Sequence, residues 1–256
     1  MARALITGPT TGLGEAAARR LLDEGHEVVV HARNEDRAAT IGDLSRRSVG
    51  LVIGDLACMA EVRHVADQVD GIGGIDAVIH NAGIYVDPDG VETVDGHART
   101  LAVNVLAPYL LTMSTPRPSR LIFLSSGMHT GGRTRLDDLD WRDRRWDGVQ
   151  AYCDSKLFVT ALALALARRW PEVSVNVVDP GWVPTRMGGP SASDDLTLGH
   201  TTQTWLAGSQ DPEATTSGGY WYHHRRRAPA SAAADPSFQD ALLDDLARLT
   251  HAGLAS

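Results

Sequence analysis

The sequence predicts a doubly wound α/β fold: a single domain with a parallel sheet and helices on both faces. Three observations lead there. Short apolar runs alternate with helix-length segments along the chain. The runs are apolar throughout rather than at every second residue, which suits parallel strands buried on both faces. A glycine-rich turn, Gly8-Pro9-Thr10-Thr11-Gly12-Leu13-Gly14, joins the first run to the first helical segment, where such sheets bind nucleotides. A chain of 256 residues, 43% of them hydrophobic, can bury one core of this kind.

The elements follow in order. Residues 4–7 read as a strand, 14–24 as a helix closed by Gly25, and 28–31 as a strand followed by a polar helix from about Glu35. Residues 49–53 and 75–79 read as strands with a helix over 59–69 between them, and 93–112 as one long helix. A strand over 121–124 leads to a helix over 151–170, stopped by Pro171, and a further strand over 173–178. Two segments break the alternation. Residues 127–150 hold five Arg, five Asp and two Trp, too polar for core and too long for a plain connection. Residues 186–219 are rich in Gly, Ser, Thr and Asp, with a helical stretch near 196–206, and are expected to cover substrate. Residues 236–249 read as an amphipathic helix.

Composition narrows the functions. A formal net charge of -8 disfavours nucleic acid, and the basic run His223-His224-Arg225-Arg226-Arg227 reads as a solvated strand end. Two cysteines make no disulfide framework, and ten scattered histidines lack ligand spacing, so no metal is expected. The longest apolar run, 157–167, is too short to span a bilayer. No membrane partner is expected, and the location read is cytoplasmic. The helix around that run is apolar nearly all round, so it is buried by its own chain or by a second subunit, and a homo-oligomer stays open.

The glycine turn brings backbone N–H groups to a helix N-terminus, which suits a pyrophosphate. The second strand ends Ala32-Arg33, with Arg33 where an acid would favour the ribose 2′-hydroxyl of NAD; a guanidinium suits a 2′-phosphate. The Asp55 carboxylate, before Leu56, suits an adenine amine, a helix N-cap, or both. Asn81-Ala82-Gly83 lets backbone pass close to the adenosine side. Tyr152 and Lys156 stand at i and i+4 on one helix face. An ammonium about 5 Å from a phenol favours phenolate by roughly 3 kcal/mol at an effective dielectric near 20. That is worth about two pKa units, against desolvation. Ser125-Ser126 closes the fifth strand, where a hydroxyl could polarise a carbonyl oxygen. Alternation does not choose between the two serines.

Together these residues resemble the short-chain dehydrogenase/reductase family over roughly residues 3–225. The resemblance rests on Thr7-Gly8-x-x-x-Gly12-x-Gly14, Asp55, Asn81-Ala82-Gly83, Asn104, Ser126, Tyr152-x-x-x-Lys156 and Pro180-Gly181-Trp182-Val183-Pro184-Thr185. It implies a Rossmann-type domain over 1–256 with an NADP(H) cofactor and a carbonyl or alcohol substrate. Tyr152 would be the general acid or base, and Ser126, the second of its pair, would hold the carbonyl. Lys156 would bind the nicotinamide ribose and lower the phenol pKa, and Asn104 would hold a water. The backbone and side chains of Gly8, Thr10, Thr11, Gly12, Leu13 and Gly14 would take the phosphates. Pro180, Gly181 and Val183 would line the nicotinamide, and Thr185 would meet its carboxamide or phosphates.

Two departures stand out: His80 replaces the first of the family's usual Asn pair, and Tyr152 follows Ser126 by 26 residues, longer than the common spacing. Similar insertions occur in the retinol-dehydrogenase-like and carbonyl-reductase-like branches. Trp141 and Trp146 in the insertion either cover the substrate mouth or anchor the loop. Trp182, Met187 and Trp205 point to an apolar substrate. A catalytically silent NADP(H)-sensing protein is the alternative, but it has no need of Ser126, Tyr152 and Lys156 together. A nucleotide-sugar epimerase or dehydratase would need more chain after Thr185.

Overall fold

The computed structural model describes residues 1–253, so the last three residues of the 1–256 domain lie outside it. The chain runs β1 (Arg3–Ile6), α1 (Gly12–Asp23), β2 (Glu27–Ala32), α2 (Glu35–Thr40), α3 (Asp43–Arg47), β3 (Gly50–Ile53), α4 (Met59–Ile72) and β4 (Ala77–His80). A helical rod follows: α5 (Arg99–Leu101), a π-turn (Ala102–Leu106) and α6 (Ala107–Ser114). After β5 (Arg120–Leu124) come two 3-10 turns (Gly127–Gly131, Leu136–Asp138), then α7 (Gly148–Arg169), β6 (Ser174–Asp179) and α8 (Leu196–Gly208). The chain ends with β7 (Gly219–Tyr222), β8 (Arg225–Arg227), α9 (Ser231–Ala234) and α10 (Pro236–Thr250).

One eight-stranded sheet runs β3-β2-β1-β4-β5-β6-β7-β8. Every pairing is parallel except β7 with β8. Strand order reverses between β1 and β4, the switch point where doubly wound sheets open a crevice at their carboxyl ends. Each face carries its own core. Leu5, Val29, Phe123 and Val177 face α4, α6, α7 and α10, while Ile6, Val30, Ile122 and Val178 face α1 and α8. The alternation of these neighbours along each strand is the pleat sorting one apolar run onto two faces.

Several expectations change. Residues 93–98 are not helical: Glu92 pairs with Ala98 in an isolated bridge, and the rod starts at Arg99. The basic run keeps its expected solvated place: Arg225–Arg227 form β8, an exposed edge strand paired to β7. The 186–219 segment does not act as one cover. Its helix α8 packs on α1 and across β4, β5 and β6, as part of the layer. Trp205 goes with it, edge-on to Trp221 at 5.2 Å and packed against the core of that face.

The long apolar helix α7 is covered by its own chain: α9 and α10 pack along it, with Phe238 tilted on Phe158. By length and composition alone α7 could cross a membrane, which the eleven-residue run understates. However, 83% of its apolar window is buried in the fold, as in a core helix.

Candidate active site

Motifs far apart in sequence meet at the carboxyl ends of β1, β4, β5 and β6. The glycine turn follows β1. Gly12 has φ 64°, and a Cβ on it would lie 3.2 Å from the Thr185 methyl group. Thr185, after β6, therefore closes over the turn. Gly14 has no room for a side chain, because Asn81 Nδ2 occupies that space. From below, Asn81 Nδ2 donates to Thr7 O at 2.9 Å and the Ala82 N–H donates to Thr7 Oγ1 at 3.0 Å. No side chain caps α1, whose N-cap Thr11 is extended, so its first-turn N–H groups lack a side-chain acceptor. This cradle of bare backbone donors at a helix N-terminus fits a dinucleotide's phosphates.

Around the turn, Arg33 is exposed after β2, and among the described residues it makes no ion pair. Asn34 caps α2 by accepting the Arg37 N–H at 2.9 Å, which places Arg37 one turn beyond Arg33. Asp55 is not the N-cap of α4, which is Cys58; it accepts the Ala57 N–H at 2.9 Å in a tight turn. Leu56 is buried in the core. Sequence reasoning missed His31. Its Nδ1 accepts the Gly8 N–H at 3.2 Å, so Nε2 carries the proton and donates to Gly54 O at 2.8 Å. Burial lowers its pKa and keeps it neutral. The available signal was one histidine ending the run Val28-Val29-Val30.

On the other side of the switch point stand Tyr152 and Lys156, on the first turns of α7. Asp147 caps that helix, accepting from the Val149 and Gln150 N–H groups. The Lys156 ammonium lies 5.6 Å from the Tyr152 ring centroid and donates to Leu124 O at 2.9 Å. Burial lowers Lys156 to about 8, and a neighbouring carboxylate, Asp179, resists that. Tyr152 moves opposite to the sequence expectation. Burial pushes the phenol well above its ordinary value, against a hydrogen bond from Ser126 that works to lower it. Desolvation wins, as it opposes any charged form, and the phenol is held protonated.

The structure separates the two serines. Ser125 turns inward, bonding Thr160 Oγ1 at 2.7 Å. Ser126 is part-exposed, heads the first 3-10 turn by accepting the Met128 N–H, and meets Tyr152. Asn104 sits in the π-turn, a distortion that recurs at functional sites. Its side chain is fully engaged: Oδ1 accepts the Ile84 N–H at 2.9 Å, and Nδ2 donates to Ile84 O and Ser155 Oγ, both at 3.0 Å. Gly83 places backbone beside both groups, its Cβ position 3.3 Å from Asn104 Oδ1 and 3.6 Å from Lys156 Nζ.

After β6, Gly181 has φ 82° and donates its N–H to Asp179 Oδ1 at 3.0 Å. Pro180 O and Leu13 both approach Gly199 of α8, and Val183 is buried there. The segment is folded back by Asp194, whose Oδ2 accepts the Trp182 N–H at 2.7 Å. Tyr85 was also missed. It packs edge-on to Tyr152 at 4.8 Å and is 39% exposed. Trp141 and Trp146 anchor the insertion: Trp146 Nε1 donates to Asp87 O at 2.7 Å, and the two rings meet edge-on at 5.4 Å.

A nucleotide cradle at the switch point, with a tyrosine, lysine and serine across the crevice, marks a Rossmann-fold oxidoreductase. Comparison with known proteins agrees. The family model described as enoyl-(acyl carrier protein) reductase matches residues 8–215. The short-chain dehydrogenase chyC of Penicillium rubens is 41% identical over 84% of this chain and 84% of its own. Human retinol dehydrogenase 13 is 30% identical over 77% of this chain and 64% of its own. A crystal structure of an uncharacterized protein from Mycobacterium paratuberculosis superposes with a TM-score of 0.85 at 26% identity, covering 100% of this chain and 96% of that one. The chain belongs to the short-chain dehydrogenase/reductase family.

Proposed function

We propose that this chain is an NADP(H)-dependent oxidoreductase that interconverts a carbonyl and an alcohol, with Tyr152 moving the proton. The observation that carries the reading is the convergence of Tyr152, Ser126 and Lys156 on the crevice that the glycine turn opens. When bound, NADPH supplies the hydride. Ser126 donates to the substrate carbonyl oxygen and fixes it against Tyr152. In reduction the Tyr152 phenol gives its proton to that oxygen as the negative charge develops. Its burial suits this direction, since the site stores a phenol rather than a phenolate. Lys156, held by Leu124 O, reaches the nicotinamide ribose, and the Asn104 main chain holds the water leading to solvent.

The 2′-phosphate falls to Arg33, with Arg37 as the second basic group that the glycine turn lacks. Gly8, Thr10, Thr11, Gly12, Leu13 and Gly14 form the phosphate cradle. Asp55 and Leu56 would border the adenine, Asn81, Ala82 and Gly83 the adenosine side of the cofactor, and Pro180, Gly181 and Val183 the nicotinamide, with Thr185 at its carboxamide or the phosphates. The apolar surfaces of Tyr85, Trp182 (54% exposed) and Met187 (45% exposed) favour an apolar substrate.

The test is a panel of ketones and aldehydes followed by NADPH absorbance. With any substrate found, Tyr152→Phe is expected to lower turnover by about 10²–10⁴-fold while NADPH still binds. Wild-type turnover in that variant would end the mechanism. Arg33→Ala is expected to erode the preference for NADPH over NADH; an unchanged ratio would remove the 2′-phosphate assignment.

A further inference from the structure

We propose that Asp179 is a positioning residue of this site, the buried counter-charge of the Tyr152–Lys156 pair. The inference rests on the reading of Lys156 as a cofactor contact. Asp179 ends β6 directly before Pro180-Gly181 and is 8% exposed. Both carboxylate oxygens are fixed. Oδ1 accepts the Gly181 N–H at 3.0 Å, and Oδ2 accepts the Tyr220 hydroxyl at 3.2 Å. A Cβ on Gly127 would lie 3.3 Å from Oδ2, so the carboxylate reaches the backbone next to Ser126.

The direction of the Tyr220 proton follows from its other neighbour. The Ala230 N–H donates to His129 Nε2 at 2.9 Å, so Nδ1 carries the histidine's proton and donates to Ser126 O at 2.8 Å. Tyr220 Oη stands 3.3 Å from that Nδ1 and cannot donate to it, so its own proton goes to Asp179. One buried chain of bonds thus ties the Ser126 backbone, the β6 end, β7 and the segment before α9. It holds a single negative charge at its centre.

That charge is what the pair lacks. Lys156 is buried, and among the described residues its ammonium hydrogen-bonds a neutral carbonyl. A buried ammonium is costly without an anion. Leu124, whose carbonyl holds the ammonium, is the register partner of Val178, so Asp179 stands one residue further along β6; Ser126 after β5, Tyr85 from the loop after β4, Tyr220 on β7 and Cys153 on α7 also face the pair. Asp179 is the carboxylate among them. It raises Lys156 against burial and raises Tyr152 along with burial, so the ammonium and the neutral phenol coexist. His129, Tyr220 and Tyr222 also feel Asp179, and Tyr220 feels Tyr152 as well.

The experiment measures NADPH affinity against pH from 7 to 10 by nucleotide fluorescence. Above pH 7 the 2′-phosphate, with a second pKa near 6, has finished titrating. Wild-type affinity is expected to fall with a midpoint near 8 as Lys156 loses its proton. In Asp179→Asn the midpoint moves down by about one pH unit, and Asp179→Glu returns it. Asp179→Ser, which keeps an acceptor for the Gly181 N–H, serves if the asparagine variant misfolds. A folded Asp179→Asn or Asp179→Ser protein whose affinity drops equally at every pH, or whose midpoint stays put, overturns the proposal. A wild-type protein that does not bind NADPH sinks the cofactor reading itself, and this inference with it.

Discussion

The glycine turn and the insertion both arrange polar groups, yet they are built on opposite logic. At the turn, local geometry decides. Gly12 and Gly14 are there because a Cβ would meet Thr185 or Asn81, and the donors are backbone. In the insertion, one side chain decides. Arg144 lies over the Trp141 ring at 3.6 Å, 3.2 Å from Asp138 Oδ2 and 3.3 Å from Asp154 Oδ2. Both acids are buried, and neither of these contacts is aligned as a hydrogen bond. The cluster therefore depends on charge. A local motif survives changes elsewhere, whereas a charge-centred cluster fails as a unit.

That contrast is most exposed at Arg144. Arg144→Ala leaves two buried carboxylates facing each other, a defect of about 3–5 kcal/mol. In a chain of this size each kcal/mol is worth about 2–4 °C, so thermal unfolding should shift down by about 6–20 °C. NADPH affinity at low temperature should stay near wild type, since the glycine turn does not touch the cluster. A melting temperature within two or three degrees of wild type would mean the insertion does not depend on that charge.

Legibility follows the same divide. The strand runs, the glycine turn and the Tyr152–Lys156 spacing each express a constraint within a few residues, so they stand in the sequence. The choice of Ser126 over Ser125 needed Thr160, which lies on α7, to claim Ser125. The burial of Asp138 and Asp154 is not marked in the sequence because it depends on how the folded loop lays Arg144 between them. Asp179 goes unmarked in the sequence because Tyr220 and His129 arrive from elements far along the chain. The π-turn hid for another reason: its apolar pattern matches a regular helix, and only the lone Asn104 marks it.

His80 tests the legible side at its own boundary. It precedes Asn81, stacks on Phe123 at 4.6 Å and bonds Thr112 Oγ1 at 2.9 Å. Burial lowers its pKa to about 3. The folded state keeps it neutral while the unfolded chain takes a proton below about pH 6.5. Stability is therefore full above that value and is lost as pH falls toward 3. Between pH 6.5 and 5 the loss from this group is about 2 kcal/mol. His31 and His129, also lowered by burial, act in the same direction. His80→Asn, which can still bond Thr112, should flatten the slope of denaturant stability against pH. An unchanged slope would show that His80 does not govern it.

The smallest effect expected is at the turn, in Gly12→Ala. A residue with a Cβ at φ 64° costs about 1–2 kcal/mol, and the new methyl group lies 3.2 Å from Thr185 Cγ2. Thr185 is on a loop and can give by a few tenths of an ångström, so the fold should lose no more than that strain. Binding has less freedom. The donors of this turn work only if backbone passes close to phosphate, and the same strain taken as binding energy is about a tenfold loss of NADPH affinity. Thr185→Ala beside it removes the methyl contact without the strain. If the double variant regains none of the affinity lost by Gly12→Ala, the loss comes from φ alone. If it regains most, the contact between the two loops is what the glycine protects, and the turn shares the insertion's dependence on a partner distant in sequence.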